Sequence, residues 1–443
     1  MSSLQNYTNI YNNVDFYPIP MYYLIVLFMI VQLMVVNKML LLRILIYTIT
    51  IISGLYFLYF GIIAAGIFKK KREKIIEDKK NNFAVIIAAR NEETVIANLI
   101  NSLKKQNYPK ENYEIYVVIN NCTDNTEKVA RDAGANIILC TDKVKSKGEV
   151  LRFTFRKLKK EKDIDAYVIF DADNIVHKDF LSKMNDSLNM GHSVIQGFRD
   201  TKNISDSWLS CSYALMYYIQ NLFLNKARYN LGKSAFINGT GFVIKKEVVD
   251  KNGYDPKTLT EDIEFVAICA INGVKIAFND EAITYDEQVN KFIPSLKQRK
   301  RWSVGNVECL KGYFSKLLKT GFKNKNFECF DIAIYYIAII IQVISSIASI
   351  LAMLILLINY QNLTINSIAS TLIMSLCTYV VGVFFRIFLL KRYNKSIKDN
   401  IGGILFFDLF ILSWIPVNVA CLFIKKCDWE SIKHNRNIKI EEI

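Results

Sequence analysis

Two long apolar blocks bracket a polar middle in this chain, and that arrangement limits the fold before any single residue is weighed. From Pro18 to Phe68 the sequence is almost wholly apolar apart from a break around Asn37, Lys38 and Arg43, which leaves room for about two spans of roughly 20 residues each. A second block, Ile332 to Ile424, divides at Asn359-Tyr360-Gln361-Asn362 and at Lys391-Arg392-Tyr393-Asn394-Lys395 into Ile332 to Ile358, Ile368 to Leu390 and Ile404 to Ile424. With 52% hydrophobic residues in a chain of 443, this is the text of a membrane protein that carries a soluble domain. The first block has no basic start and no small-residue cleavage site, and it is too long for a signal peptide, so it reads as a retained anchor.

The formal charge of +15 raises a nucleic-acid reading, since lysine and arginine neutralise phosphates. The positive residues crowd the edges of the apolar blocks instead, as in Lys69-Lys70-Lys71-Arg72 and Lys425-Lys426. That placement fits anionic headgroups and a cytoplasmic flank, with membrane lipids rather than nucleic acid as partner. Nine cysteines are scattered without a Cys-x-x-Cys pair; Cys269, Cys377 and Cys421 sit in apolar text, which reads as buried free thiols.

Between Asn82 and about Asn290 short apolar runs alternate with helix-compatible stretches. Phe83 to Ala89, Tyr113 to Ile119, Asn136 to Leu139 and Ala166 to Phe170 read as buried strands, with helices over Thr94 to Gln106, Thr126 to Ala133 and Lys147 to Lys160. This alternation predicts an α/β domain with a mostly parallel sheet, whose ligands gather at the carboxyl ends of the strands. Arg90-Asn91-Glu92, Asn120 to Asp124 and Asp171 to Asp173 stand at such ends, so one crevice can collect all three. Two other stretches are apolar but awkward as spans. Trp208 to Leu224 is short and carries Ser210, Ser212, Gln220 and Asn221, and Phe292 to Leu318 spaces its apolar residues at helical period among basic ones. Both suit helices lying in the membrane interface, or ordinary amphipathic helices on the domain surface.

Three short motifs carry chemistry. Asp171-Ala172-Asp173 puts two carboxylates at a strand tip, where a hard cation such as magnesium bridges carboxylates to substrate phosphates; aspartates at such a place also serve as turn or cap residues. Thr260-Glu261-Asp262 opens an apolar stretch, with Thr260 as a helix cap and the acids on its dipole. A carboxylate held there can also accept a proton from an acceptor hydroxyl. In Gln298-Arg299-Lys300-Arg301-Trp302, Arg299 and Arg301 can hold phosphate oxygens and Trp302 offers a flat face to a sugar ring, while the same residues suit an interfacial helix.

In that order, these residues resemble the membrane-embedded family 2 glycosyltransferases, which include the cellulose, hyaluronan and poly-N-acetylglucosamine synthases. The resemblance runs from about Phe83 to Trp302 and implies a GT-A-like domain inserted between membrane helices. It implies Asp171 and Asp173 as ligands of a divalent metal, Mg2+ or Mn2+, with Asp171 also at the donor diphosphate, and Asp262 as catalytic base. It puts Arg90, Glu92, Asn120, Lys147, Arg299 and Arg301 at a nucleotide-sugar donor, and Glu261, Gln298, Trp302, Gly239 and Thr240 at the acceptor. One departure stands out: where the family often has an aspartate at the nucleoside, this chain has Asn120, which can hydrogen-bond a base but carries no charge.

The organisation expected is an N-terminal membrane segment over 1–68, a cytosolic catalytic domain over 69–290, interfacial helices over 291–330, a C-terminal membrane region over 331–424 and a basic tail over 425–443. The activity expected is inverting transfer from a nucleotide sugar, UDP-linked, to a growing polysaccharide coupled to export, in a multi-pass protein of the cell membrane whose catalytic domain faces the cytoplasm. The alternatives are a transferase that glycosylates a membrane lipid, and a nucleotide-sugar-binding subunit without turnover. The resemblance leaves room for a small membrane or export accessory subunit. Three full spans after the domain would put the basic tail outside, against the positive-inside bias. Asp408 and Pro416 interrupt the last segment, which is therefore expected to be re-entrant or strongly bent.

Overall fold

The computed structural model describes residues 21–71, 73–161, 163–358, 365–424, 436–438 and 440–442. Pro18, Arg72, the break Asn359-Tyr360-Gln361-Asn362 and Lys425-Lys426 lie outside them. The chain enters as one helix, α1 (Met21–Ala64), of 44 residues, rather than as two helices that turn at Asn37 to Arg43. No glycine or proline stands between Met21 and Ser53, so nothing interrupts the hydrogen-bond ladder there.

Eight strands form one sheet: β1 (Phe83–Ala89), β2 (Tyr113–Ile119), β3 (Asn136–Leu139), β4 (Ala166–Asp171), β5 (Ile175–Val176), β6 (Val194–Thr201), β7 (Phe242–Lys245) and β8 (Ile276–Asp286). Their spatial order is β3-β2-β1-β4-β7-β6-β8-β5. The pairs β1·β2, β1·β4, β2·β3 and β6·β8 are parallel, whereas β7 runs antiparallel to both its neighbours and β5 antiparallel to β8. Nearly every residue of β1, β4 and β6 is buried, which is why they read as continuous apolar runs rather than alternating ones. Helices α2 (Ile96–Lys104), α3 (Thr126–Asp132), α4 (Lys147–Leu158) and α5 (Phe180–Asn189) are interleaved with the first strands.

The second half adds α6 (Trp208–Ile219), a π-helical turn Gln220–Lys226, α7 (Ala227–Asn230), α8 (Lys246–Asn252) and α9 (Glu261–Ile271). It ends in α10 (Phe292–Asn324), α11 (Phe327–Tyr336), α12 (Ala338–Ile358), α13 (Ile365–Arg392), α14 (Ile401–Leu412) and α15 (Trp414–Phe423). The stretch expected as a helix in the interface, Trp208 to Leu224, is buried over most of its length, because α6 packs against β6 on one side and α14 on another. Gly403 makes the α14 contact possible: a Cβ there would stand 2.4 Å from the Cβ of Cys211.

Among the described residues, four segments are long and apolar enough to cross a membrane: Leu40–Phe68, Ala338–Leu356, Ile368–Arg392 and Lys398–Phe423. Leu41, Ile51, Leu55 and Phe57 of α1 and Leu372, Val381 and Phe384 of α13 stand exposed, an apolar surface that hydrocarbon covers and water would not. α1 packs on α12, where Ser53 and Ser345 share a 2.6 Å hydrogen bond. Its end is pinned by a buried cluster in which the Arg228 guanidinium and the Tyr59 hydroxyl both donate to Asp331 of α11. The last segment is interrupted at Ser413, and Pro416 lies in the first turn of α15, where its missing N–H has no helical partner to lose.

Candidate active site

The parallel register sets Ala89 beside Ile119 and Ala88 beside Asp171, so the residues that follow β1, β2 and β4 emerge along one edge. Asn91 (φ 59°) and Asn121 (φ 49°) then turn the chain in the left-handed region, which asparagine tolerates better than most residues. The Asn91 side-chain oxygen accepts from the Thr123 amide at 2.8 Å. Arg90, Glu92 and Asn120 all line the cavity above this edge. Asn120 is buried, and its carboxamide oxygen has no hydrogen-bond partner.

Asp171 closes β4 in the same cavity. Lys147, the first residue of α4, donates from Nζ to Asp171 Oδ1 at 2.5 Å and to the Gly239 carbonyl at 2.7 Å. Burial works against the Lys147 ammonium, but Asp171, Glu261 and Asp262 outweigh it and hold its pKa above the usual lysine value. Gly148 brings α4 close to the acidic turn, since a Cβ there would meet Pro256 at 2.5 Å and Glu261 at 2.9 Å. Asp173 lies deeper; one of its oxygens accepts from the Glu287 amide at 3.2 Å, and its own carbonyl accepts from Lys202 Nζ at 2.8 Å.

Thr260-Glu261-Asp262 opens α9. Asp262 Oδ1 accepts from the Ile263 amide at 2.9 Å, while Oδ2 faces Gly239, 3.2 Å from where a Cβ there would stand. Gly239 has φ +81°, so an L side chain would be both strained and in the way of this carboxylate. Burial raises the Asp262 pKa against the pull of the Ile263 amide, Lys147, Arg199 and Arg301. Glu261 is raised by burial and then by the Asp262 charge beside it.

The turn is held from α10. Glu308 accepts from the Leu259 amide at 2.9 Å. Tyr313 donates at 2.5 Å to Glu264, whose other oxygen accepts the Lys257 and Thr258 amides at 2.7 Å each. Thr260 occupies the cap position of α9, but its hydroxyl makes no capping hydrogen bond. It packs instead against Cys309 and into the space left by Gly305.

The structure brings most of the expected residues together. One cavity of about 770 Å3 is lined by Arg90, Glu92, Asn120, Lys147, Asp171, Asp173, Gly239, Glu261, Asp262, Gln298, Arg301 and Trp302. Two expected residues stand outside it. Arg299, expected at the donor, is fully buried and turned the other way: it donates to the Phe410 carbonyl at 3.3 Å and to Ser413 Oγ at 2.7 Å, and lies over the Phe410 and Trp414 rings. Residues two apart on a helix point in different directions, so Arg301 and Arg299 cannot both face the cavity. Thr240, expected at the acceptor, is also fully buried; its hydroxyl accepts from the Asp171 amide at 3.0 Å and donates to Asn174, so it positions the acidic strand tip.

Other cavity residues carried no sequence signal. Arg199 donates to Asp286 and lies 4.2 Å from the Tyr217 ring centre. Burial raises the Asp286 pKa against Arg199, and Asp173 adds to the rise. The cavity wall continues through Phe223, Leu224 and Trp414 to Phe60, Gly61 and Ala64 of α1.

The residues present suit a divalent cation. Asp171 and Asp173 line the same cavity, and among the described residues no trio of His, Cys, Asp and Glu is placed to hold a metal alone. Two carboxylates, with the other positions left to water and phosphate oxygens, are the hard-oxygen set that magnesium or manganese accepts.

The chain is similar to known proteins in sequence and in fold. The chain is 25% identical over 283 residues to the probable glycosyltransferase YdaM of Bacillus subtilis, covering 59% of this chain and 64% of that protein. It is 24% identical over 271 residues to a beta-monoglucosyldiacylglycerol synthase of Nostoc sp., covering 58% and 57%. It thus spans less than two thirds of the length of either relative. Among solved structures, the mannosyltransferase PcManGT from Pyrobaculum calidifontis, determined in complex with GDP-Man and Mn2+, shares the fold at a TM-score of 0.59 and 15% identity, covering 87% of this chain and 100% of that one. The model of the glycosyltransferase-like family 2 matches residues 81–305, just over half of the 443, and the chain belongs to that family.

Proposed function

We propose that this enzyme transfers a sugar from a nucleoside diphosphate sugar, UDP-linked, to a hydroxyl of a membrane lipid, with inversion at the anomeric carbon. One observation carries the lipid reading: the carboxylates of the strand ends line the same cavity as Phe60, Gly61 and Ala64 of α1, which belong to the apolar segment Leu40–Phe68. The name of the Nostoc relative, a synthase of a glucosylated diacylglycerol, supports it. The unpartnered Asn120 oxygen supports a base with an imide N–H, as uracil has. The polymer reading that the family resemblance favoured keeps one support, the Trp302 face in the cavity.

In this reading the acceptor oxygen bonds to the anomeric carbon as the bond from that carbon to the diphosphate breaks, and Asp262 takes the hydroxyl proton. Lys147 and Arg301 supply positive charge where the leaving group gains negative charge. A divalent cation at Asp171 and Asp173 would neutralise diphosphate oxygens and ease departure of the nucleoside diphosphate. A radiolabelled UDP-sugar supplied to membranes that contain the protein should put its label in the chloroform-soluble lipid fraction. Label in a high-mass, ethanol-precipitable polymer would overturn the lipid acceptor.

The tail supports a cytoplasmic arrangement without an external C-terminus. Arg436 pairs with Asp206 through two hydrogen bonds of 2.6 and 2.8 Å, Asn437 accepts from Asn98, and Glu441 accepts from Lys105. A tail docked on the catalytic domain shares its side of the membrane, so an even number of crossings separates them. α12 and α13 supply two, and the Lys398–Phe423 segment then enters and leaves on one face, bent at Ser413. A cysteine introduced as Glu442→Cys should react with an impermeant maleimide only after cells are opened; labelling in intact cells would sink this topology.

A further inference from the structure

The proposed cation site has one arm that the sheet does not hold. Asp171 is the last residue of β4 in register with β1, through Ala88, and on its other side β4 pairs with β7 only as far as Ile169. Asp173 comes two residues later, in the turn that carries the chain from the middle of the sheet to β5 at its edge. It belongs to no strand, so ladder hydrogen bonds do not set its place.

A buried lysine outside the family motifs does. Lys202 follows β6 with its side chain 1% exposed, and its Nζ donates to the Asp173 carbonyl at 2.8 Å. The same ammonium stands 3.2 Å from Glu287 Oε2 and 3.4 Å from the Arg436 carbonyl, three oxygens for the three N–H groups of an ammonium. The backbone repeats the tie. The Glu287 amide donates to Asp173 Oδ2 at 3.2 Å, and the Lys202 amide donates to the Asp286 carbonyl at 3.0 Å, so the turn after β4 and the ends of β6 and β8 meet at one point. An ammonium taken out of water is costly unless it is paired and hydrogen-bonded, and this one is both.

We propose that Lys202 is a positioning residue for sugar transfer: it holds the Asp173 arm of the cation site, and the C-terminal tail, seated through Arg436, holds Lys202. This rests on the reading of Asp171 and Asp173 as the cation's carboxylates. Lys202 does not line the cavity, whereas Asp173 and Glu287 do, so it acts through them.

The tail reaches both sides of the turn. While the Arg436 carbonyl meets Lys202, its guanidinium donates twice to Asp206, at 2.6 and 2.8 Å. Farther along, Asn437 accepts from Asn98 and Glu441 from Lys105, next to α2, which packs on β5. The strap therefore runs from the end of β6 to the helix that backs β5, and Asp173 lies between β4 and β5.

Charge alone predicts the opposite sign. An ammonium repels a nearby cation, so losing only the Lys202 charge would tighten cation binding if position did not matter. The test therefore removes both members of the ion pair. Mn2+ is titrated into the full chain in nanodiscs with UDP present, and free Mn2+ is read from its electron paramagnetic resonance signal. Wild type should bind the ion saturably. The double variant Lys202→Met with Glu287→Gln should bind it about tenfold more weakly, the low end of what removing an outer-shell partner costs a metal site. The spectrum of the bound ion should also change shape, which a loss of stability alone would not cause. Arg436→Ala alters only the exposed latch and should weaken binding by about twofold to fivefold, the worth of an exposed ion pair.

Unchanged Mn2+ affinity in a folded double variant overturns the positioning role. If the double variant does not fold, Arg436→Ala decides, and wild-type affinity there overturns the latch on Lys202. A wild-type protein that binds no Mn2+ in the presence of UDP would remove the cation reading itself, whereas wild-type binding with no loss in the variants removes only this inference, so the two failures are distinguishable.

Discussion

The two ends of the cavity are made of different material. At the proposed donor end Arg90 and Asn120 follow β1 and β2 and Asp171 closes β4, three parallel strands whose mutual register fixes where each residue emerges. At the proposed acceptor end Gln298, Trp302, Trp414 and Phe60 come from α10, α15 and α1, with α10 packed on α15 and, at Gly305, against Thr260 at the start of α9. A strand edge places its residues through backbone hydrogen bonds, whereas a helix cluster places them through the fit of side chains. Substitutions at the two ends should therefore fail in different ways.

Asp262 sits where the ends meet, and its loss should have the largest effect. Asp262→Asn removes the proposed proton acceptor while keeping the shape, so turnover should fall by about 10³-fold, within the range for general base catalysis, with UDP affinity retained. Full turnover in that variant would remove Asp262 from the mechanism. The pH profile sharpens the point. Burial raises the Asp262 pKa, and only the ionised form can take a proton. In the free enzyme, kcat/KM should therefore fall on acidification through a midpoint above the ordinary aspartate value of about 3.9. A midpoint at or below that value would mean that another group controls the reaction.

The same contrast explains what could be read from the sequence. The expected bounds of the first three strands, Phe83 to Ala89, Tyr113 to Ile119 and Asn136 to Leu139, match those of β1, β2 and β3, because each is an apolar run closed by turn residues. The strand-end carboxylates were legible for the same reason. The later strands β6, β7 and β8 were not among those expected: β7 is four residues long and antiparallel to its neighbours, so no alternation of strand and helix announces it. Arg299 was misplaced because a motif names residue types but not which face of the helix each takes. Trp414 carries no motif at all, and its place in the cavity depends on a helix break more than 100 residues downstream of α10's start, which helical period alone does not disclose.

Gly305 tests the separation with a smaller change, and it is the most direct way to break the contrast. It lies on α10 one turn beyond Arg301 and Trp302 and faces the acidic turn: a Cβ there would stand 2.5 Å from both Oγ1 and Cγ2 of Thr260. Thr260 is itself buried, and its short side chain has no remote end that can swing away, so Gly305→Ala must push α10 and the start of α9 apart. Overpacking of this kind costs about 1–3 kcal/mol, which should appear as a lower unfolding midpoint. Displacing Trp302 relative to Asp262 by a fraction of an ångström should slow transfer by about tenfold, since misplacement near 1 Å is worth about 10²-fold. The strand edge takes no part in that contact, so UDP affinity should stay at the wild-type value. If UDP binding falls in step with transfer, the donor end is not independent of helix packing, and α10 must be counted among the elements that build both ends of the cavity.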